Sequence, residues 1–288
     1  MQYQGVVFAN IADLYYVLRN NGQLYACKLR GKLKTRILSG DLVDFTILDD
    51  TWGIIEKLLP RSSELYRPHI ANVSLALLLQ ACSEPEPDLH LLDRLLLNAA
   101  HARIKPAILI NKSDLPHADQ IEVIRSYYSH MGIPVFLLSA LTGEGISEVY
   151  RLVQGEIAVL VAPSGVGKTS IIKALTANDS LPTNTLSKKL KRGRHTTRHV
   201  EFYQVGSGIV ADSPGFSAVD IPAMDKHELR NLFFEFNSLQ MRCKFNDCLH
   251  VNEPECRVIA AVKSNDILNS RYESYLRMLE EIIARERW

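Results

Sequence analysis

PAILINKSDLP, residues 106–116, is the stretch on which the reading of this chain turns. An apolar run, PAILI, leads straight into Asn111-Lys112-Ser113-Asp114 and breaks at Pro116. That is the pattern of a buried strand opening into a loop at its C-terminal end, where open α/β sheets bind ligands. A second unit of the same kind, IAVLVAPSGVGKTSIIKALT, starts only at residue 157. Its order of strand, glycine loop and helix is the context that a phosphate-binding loop requires.

The chemistry of the two loops says what they would hold. Guanine presents N1–H and an exocyclic amine, two parallel donors that the Asp114 carboxylate can accept together. The Lys112 stem would lie over the base and Asn111 would brace the loop. In the following run IPVFLLSALTG, the Ala140 N–H would meet guanine O6, with Ser139 fixing the turn. Adenine lacks the donor pair, so such a site rejects ATP. In APSGVGKTS, Gly165 and Gly167 let the backbone from Ser164 through Val166 turn N–H groups on the phosphates, at the start of the helix carrying Thr169 and Ser170. Lys168 would reach the β- and γ-phosphates and the Thr169 hydroxyl would ligate Mg²⁺. ADSPGF, 211–216, supplies Asp212 for Mg²⁺ through water and the Gly215 N–H for the γ-phosphate. Base loop, phosphate loop and DxxG thus occur in a permuted order. Such an order is possible when the ends of a domain lie close enough to be joined and a new break opened. The expected fold class is α/β, a circularly permuted P-loop GTP-binding domain.

Around this core the composition changes twice. Residues 1–62 read as short strands (YQGVVFAN, LYYVLRN, QLYACKLRG, DLVDFTILD, WGIIEKL) separated by turn signals. Five such strands predict a small barrel, OB-like or SH3-like, of the kind that binds RNA. Residues 66–222 alternate apolar strands with helical stretches and form the nucleotide domain. Residues 223–288 turn helical around a cysteine–histidine cluster. Net charge is only +1, but residues 19–40 carry Arg19, Lys28, Arg30, Lys32, Lys34 and Arg36 without an acid. Residues 188–198 carry six more basic residues without an acid. Two such runs point to polyanion contact, with Lys28, Arg30, Lys32, Lys34 and Arg36 as the RNA-contacting set.

CKFNDCLHVNEPEC sets Cys243, Cys248, His250 and Cys256 at C-x4-C-x-H-x5-C spacing. Three thiolates and an imidazole fill a tetrahedral shell, which suits one structural zinc and leaves no open catalytic position. The N-terminus lacks the basic start and apolar core of a signal peptide, and no apolar run reaches the length of a membrane span. With five cysteines this leads to the expectation of a reducing, cytoplasmic setting and of metal rather than disulfides.

The permuted motif order, GRHTTR at 193–198, DSPGF, the barrel and the cysteine cluster together resemble the RsgA (YjeQ) family of small ribosomal subunit biogenesis GTPases, over nearly the whole chain. The resemblance implies a GTPase that binds the small (30S) subunit late in assembly and is stimulated by it; nothing in the sequence suggests an obligate dimer, so a monomer is expected. Phe216 stands directly after DSPG, where many GTPases place the glutamine that orients water, so another group must act. His195 can orient or deprotonate water, and the resemblance points to the same residue. Thr197, or Thr196 in its place, would bind Mg²⁺ and the γ-phosphate. Arg198 departs from the threonine more common in the family. The cysteine spacing resembles the family's zinc knuckle. A scaffold that binds rRNA and holds GTP with little turnover is the alternative, favoured by Phe216. A metabolic P-loop kinase fits poorly with NKSD.

Overall fold

The computed structural model describes residues 2–11, 13–31, 35–66, 69–116, 120–177, 200–212 and 220–286. Expectations placed on Lys32, Lys34, His195, Thr196, Thr197, Arg198, Gly215 and Phe216 lie outside the described residues.

Alternation of apolar and polar residues puts Val7, Val17, Tyr25, Cys27, Val43, Phe45 and Ile55 on one side of five strands. These are β1 (Gln2–Ile11), β2 (Leu14–Arg19), β3 (Leu24–Leu29), β4 (Leu42–Ile47) and β5 (Trp52–Leu58). They close in the order β1-β2-β3-β5-β4, with β3 and β5 parallel and β1 and β4 antiparallel, an OB-like barrel. Cys27 belongs to its core, where burial pushes the thiol up to about 12. Lys28 lies within β3 itself rather than in the loop that follows.

Beyond the barrel, Arg61 clamps the buried Asp41 carboxylate through Nε at 2.7 Å and Nη2 at 2.9 Å. A short hairpin, β6 (Glu64–Tyr66) with β7 (His69–Ala71), follows. Gly40 has φ +89°, and a Cβ there would come within 2.1 Å of the Ala71 carbonyl, so only glycine fits this join.

The remaining strands are β8 (Leu75–Ala81), β9 (Lys105–Asn111), β10 (Val135–Leu137), β11 (Ile157–Val161), β12 (Glu201–Val205) and β13 (Gly208–Asp212). They form a six-stranded sheet of order β10-β9-β8-β11-β13-β12. Every residue of β8 is buried, as for a strand covered on both faces. Among the described residues the helices are α1 (Leu89–His101), α2 (Gln120–His130), α3 (Ile146–Val153), α4 (Lys168–Thr176), α5 (Lys226–Leu232), α6 (Phe234–Gln240), α7 (Arg257–Lys263) and α8 (Asn269–Glu286). Among the described residues, no helix is long and apolar enough to cross a membrane.

The chain divides into two compact units, each built from separate stretches. One comprises Met1–Leu77, Ala140–Val161 and Lys168–Gly215; the other comprises Leu78–Ser139, Ala162–Gly167 and Phe216–Trp288. In the second unit, Leu97 of α1 packs with Phe233, Phe236, Tyr275, Met278 and Ile282 in one apolar core.

That core surrounds a buried ionic knot. Arg271 of α8, 2% exposed, donates to Asp93 of α1 at 2.7 Å and to Glu235 of α6 at 2.8 Å. Its guanidinium also lies 4.1 Å over the Phe233 ring, and the Tyr128 hydroxyl of α2 donates to the same Asp93 oxygen at 2.7 Å. Burial pushes the Asp93 carboxyl upward, while Arg271 and Tyr128 pull it down. We read the pair as ionised, because a guanidinium keeps its proton and donates to both carboxylates at hydrogen-bond distance. Removing one partner strands the others. Arg271→Leu should therefore destabilise this unit by about 3–5 kcal/mol in denaturant unfolding. A loss below about 1 kcal/mol, the scale of an exposed pair, would show that the knot is not what holds α8 in place.

Candidate nucleotide site and metal centre

In the second unit the base loop and the phosphate loop meet. Asn111 closes β9 and is 3% exposed; its Nδ2 donates to the Val166 carbonyl at 2.8 Å. Across the same join, a Cβ at Gly167 would sit 2.3 Å from Asn111 Nδ2, and Gly167 has φ +94°. Glycine is thus required there both by space and by backbone conformation. Val166 is 1% exposed and pins the loop inward, while Ser164 and Gly165 are exposed.

The base loop is held from three sides. The Cys82 N–H donates to the Asn111 carbonyl at 2.8 Å, and the Ser113 N–H to the Leu138 carbonyl at 3.1 Å. Ser139, fully buried, donates its hydroxyl to Asp114, whose carboxylate is exposed at the loop's rim. Lys112 has φ +66°, and its ammonium donates to the Glu84 carbonyl. Glu84 supplies an oxygen to Lys112, and Pro85 Cδ lies 3.6 Å from where a Gly165 Cβ would be. No motif marks such a carbonyl contact.

In the first unit, α4 begins at Lys168, with Thr169 and Ser170 exposed in its first turn. Lys168 Nζ lies 2.7 Å from Asp212 Oδ1, at the end of β13. The β12–β13 register sets Glu201 directly opposite Asp212, and Tyr203 donates to Glu201 at 2.6 Å. Neither Glu201 nor Tyr203 carries a motif, and only strand pairing reveals them. Leu141, just past Ala140, is 85% exposed. On the barrel, Lys28 and Arg36 are exposed, whereas the Arg30 guanidinium bonds Glu56 and is partly neutralised.

The cysteine cluster is compact. The ligand atoms of Cys243, Cys248, His250 and Cys256 all lie within 4.8 Å of one another. His250 Nδ1 faces the sulfurs of Cys248 and Cys256 at 3.3 Å each and Cys243 at 3.8 Å, and Cys243 and Cys256 are 4.0 Å apart. A tetrahedron with metal–ligand bonds of ~2.3 Å has edges of ~3.8 Å, so these residues could hold a metal ion. Burial pushes Cys248 up to about 12 and His250 down to about 4, so the imidazole is neutral as a ligand must be. The N–H groups of Arg257 and Ile259 point at Cys243 and Cys256 sulfur at 3.4 and 3.5 Å.

A second layer holds the knuckle's backbone. Arg230 donates to the Cys248 carbonyl at 2.8 Å; Tyr272 donates to that of His250 at 2.6 Å and Tyr275 to that of Leu249 at 2.7 Å. Glu253 accepts from the N–H groups of Leu249, Val251 and Asn252. No sequence signal marks these bracing residues, because they lie on α5, α8 and within the loop at no diagnostic spacing.

Comparison with known proteins agrees with this arrangement. Residues 4–55 match the model of the RsgA N-terminal domain and residues 58–222 that of the RsgA GTPase. A protein of Carboxydothermus hydrogenoformans named small ribosomal subunit biogenesis GTPase RsgA is 43% identical over 99% of this chain and 99% of its own length. One of the same name from Caldanaerobacter subterraneus subsp. tengcongensis is 41% identical over 99% of this chain and 97% of its own. Among solved structures, YloQ, described as a circularly permuted GTPase, is similar with TM-score 0.83 and 30% identity, covering 99% of this chain and 96% of that one. YjeQ from Thermotoga maritima is similar with TM-score 0.82 and 33% identity, covering 98% and 99%. Together with a base loop tied to a phosphate loop that follows it in the chain, these likenesses make the protein a member of the RsgA GTPase family, built on a circularly permuted GTPase fold.

Proposed function

We propose that this GTPase binds the small (30S) ribosomal subunit and hydrolyses GTP during a late step of its assembly, in the cytoplasm. The observation that carries the reading is the Asn111–Val166 bond, which couples a guanine-type loop to a phosphate loop, in a chain whose full-length relatives carry that name. The domains in this reading are an RNA-binding barrel at 1–62, a GTPase domain at 66–222 and a zinc-binding helical domain at 223–288.

Within the GTPase domain, Asp114 accepts the two guanine donors, Lys112 covers the base and the Ala140 N–H meets O6. Residues 164–170 wrap the phosphates. On nucleotide binding the Lys168–Asp212 ion pair would open: Lys168 would turn to the β- and γ-phosphates, and Asp212, with Thr169 and Thr197, would hold the magnesium ion that comes with the nucleotide. Magnesium, when bound, neutralises charge developing on the phosphates. The Gly215 N–H supports the γ-phosphate, and His195 orients the attacking water. Cys243, Cys248, His250 and Cys256 hold one structural zinc.

Three outcomes test the reading. Asp114→Asn should weaken GTP binding by roughly 10²-fold and favour xanthine nucleotides, whose C2 carbonyl accepts from an amide. GTP affinity measured by calorimetry and left unchanged would remove NKSD from the site.

Cys248→Ser should abolish retention of one zinc per chain and loosen the C-terminal helices, while GTP binding survives. Elemental analysis that finds no zinc in the purified wild-type protein would end the zinc assignment.

For the partner, wild-type protein should co-sediment with small subunits rather than large ones, and less so as salt rises, since each bound phosphate releases counterions. Replacing Lys28, Arg30, Lys32, Lys34 and Arg36 by serine should weaken that binding and flatten its salt dependence, with basal hydrolysis retained. Unchanged sedimentation of the five-fold variant would place recognition on another surface.

A further inference from the structure

The β1–β2 ladder pairs Val7 with Val17 and Ala9 with Tyr16, which leaves Phe8 as the extra residue of a bulge. Bulges re-aim side chains. Phe8 is only 9% exposed, yet it is outside the cluster that fills the barrel. Its ring lies instead against Phe202 of β12, with centroids 5.6 Å apart and planes tilted by 43°. Phe202 is 7% exposed and stands opposite Ala211 on β13. Its neighbour Glu201 stands opposite Asp212, which holds the phosphate-loop lysine. From the barrel wall to the Lys168–Asp212 pair there is one aromatic contact and one strand pairing.

The place of β12 makes that contact consequential. It is the last strand of the sheet order and pairs with β13 alone, so one flank has no partner strand among the described residues. An edge strand held on one side shifts at lower cost than a central one. Glu201 and Tyr203 lie on this edge strand, and its register with β13 is what sets Glu201 opposite Asp212.

We propose that Phe8 is a positioning residue for GTP hydrolysis: through Phe202 it sets β12, and thereby the Glu201–Asp212 end of the β12–β13 pair, according to whether the barrel is engaged by RNA. This rests on the reading of the barrel as the RNA-binding module and of 164–170 as the phosphate loop. Linkage makes the coupling reciprocal, so nucleotide at the phosphate loop must alter the barrel near the bulge. That consequence can be read without any ribosome.

The test compares wild type, Phe8→Ala and Phe8→Leu as full chains. In wild type, a non-hydrolysable GTP analogue should slow amide hydrogen exchange both in the phosphate loop and at residues 5–9 of β1. In Phe8→Ala the phosphate-loop protection should remain and the β1 response should vanish. Small-subunit binding should stay near wild type, while the ratio of subunit-stimulated to basal hydrolysis should fall roughly two- to tenfold, the scale of one aromatic pair. Phe8→Leu, which keeps apolar bulk, should recover part of both responses. If β1 exchange ignores the analogue in wild type while the phosphate loop is protected, the proposal is overturned. It is equally overturned if Phe8→Ala keeps full stimulation and a full β1 response. Should Phe8→Ala fail to fold, the wild-type exchange pattern and Phe8→Leu decide the matter. Should small subunits neither bind nor stimulate wild type, the partner reading falls and the exchange measurements judge the coupling alone.

Discussion

The Asn111 side-chain amide joins two loops that are 55 residues apart in the chain. Its donor meets the Val166 carbonyl, and the space it occupies is open only because Gly167 has no Cβ. The bond is buried, so losing it would leave an amide and a carbonyl unsatisfied where water cannot easily replace them. Its consequence is geometric. A loop that reads a base edge and a loop that wraps phosphates must be held at a fixed separation, because a nucleotide has a fixed length. Permutation changes which loop comes first, but not the need for this tie.

The same logic of a short inner tie and a second bracing layer recurs around the cysteine cluster. Four ligand atoms close enough for one ion would be a poor arrangement if the backbone between them could flex. Arg230, Tyr272 and Tyr275 each bond a carbonyl in the 248–250 stretch, and Glu253 gathers three N–H groups. Tyr272 and Tyr275 sit on α8, the helix whose Arg271 is locked to Asp93 and Glu235. The cysteine–histidine cluster and the buried ionic knot therefore share one helix, and each restrains the surroundings of the other.

Much of the fold was legible along the chain. Period-two alternation in residues 1–60 marked the barrel strands, because one face of each is buried. The GVGKTS turn and helix were legible because glycines at left-handed φ and a helix start are local demands. NKSD and the C-x4-C-x-H-x5-C spacing stand out as candidates because ligand chemistry restricts residue type. The barrel class was not: separating OB-like from SH3-like needed the parallel β3–β5 pair, a long-range fact. Within the basic run, tertiary context separates the charges: Lys28 is exposed on β3, whereas Arg30 pairs with Glu56.

What the sequence determined by itself, then, were the elements whose cause is local: strand period, turn glycines, helix starts, and the residue types that can touch guanine, phosphate or a soft metal. What only the tertiary structure decided were partnerships between distant residues. Arg271 with Asp93, Lys112 with the Glu84 carbonyl, Glu201 across from Asp212 and Phe8 against Phe202 leave no periodic trace. Each depends on where two strands or helices come to lie, and that is fixed by the summed burial of whole faces rather than by the pair itself.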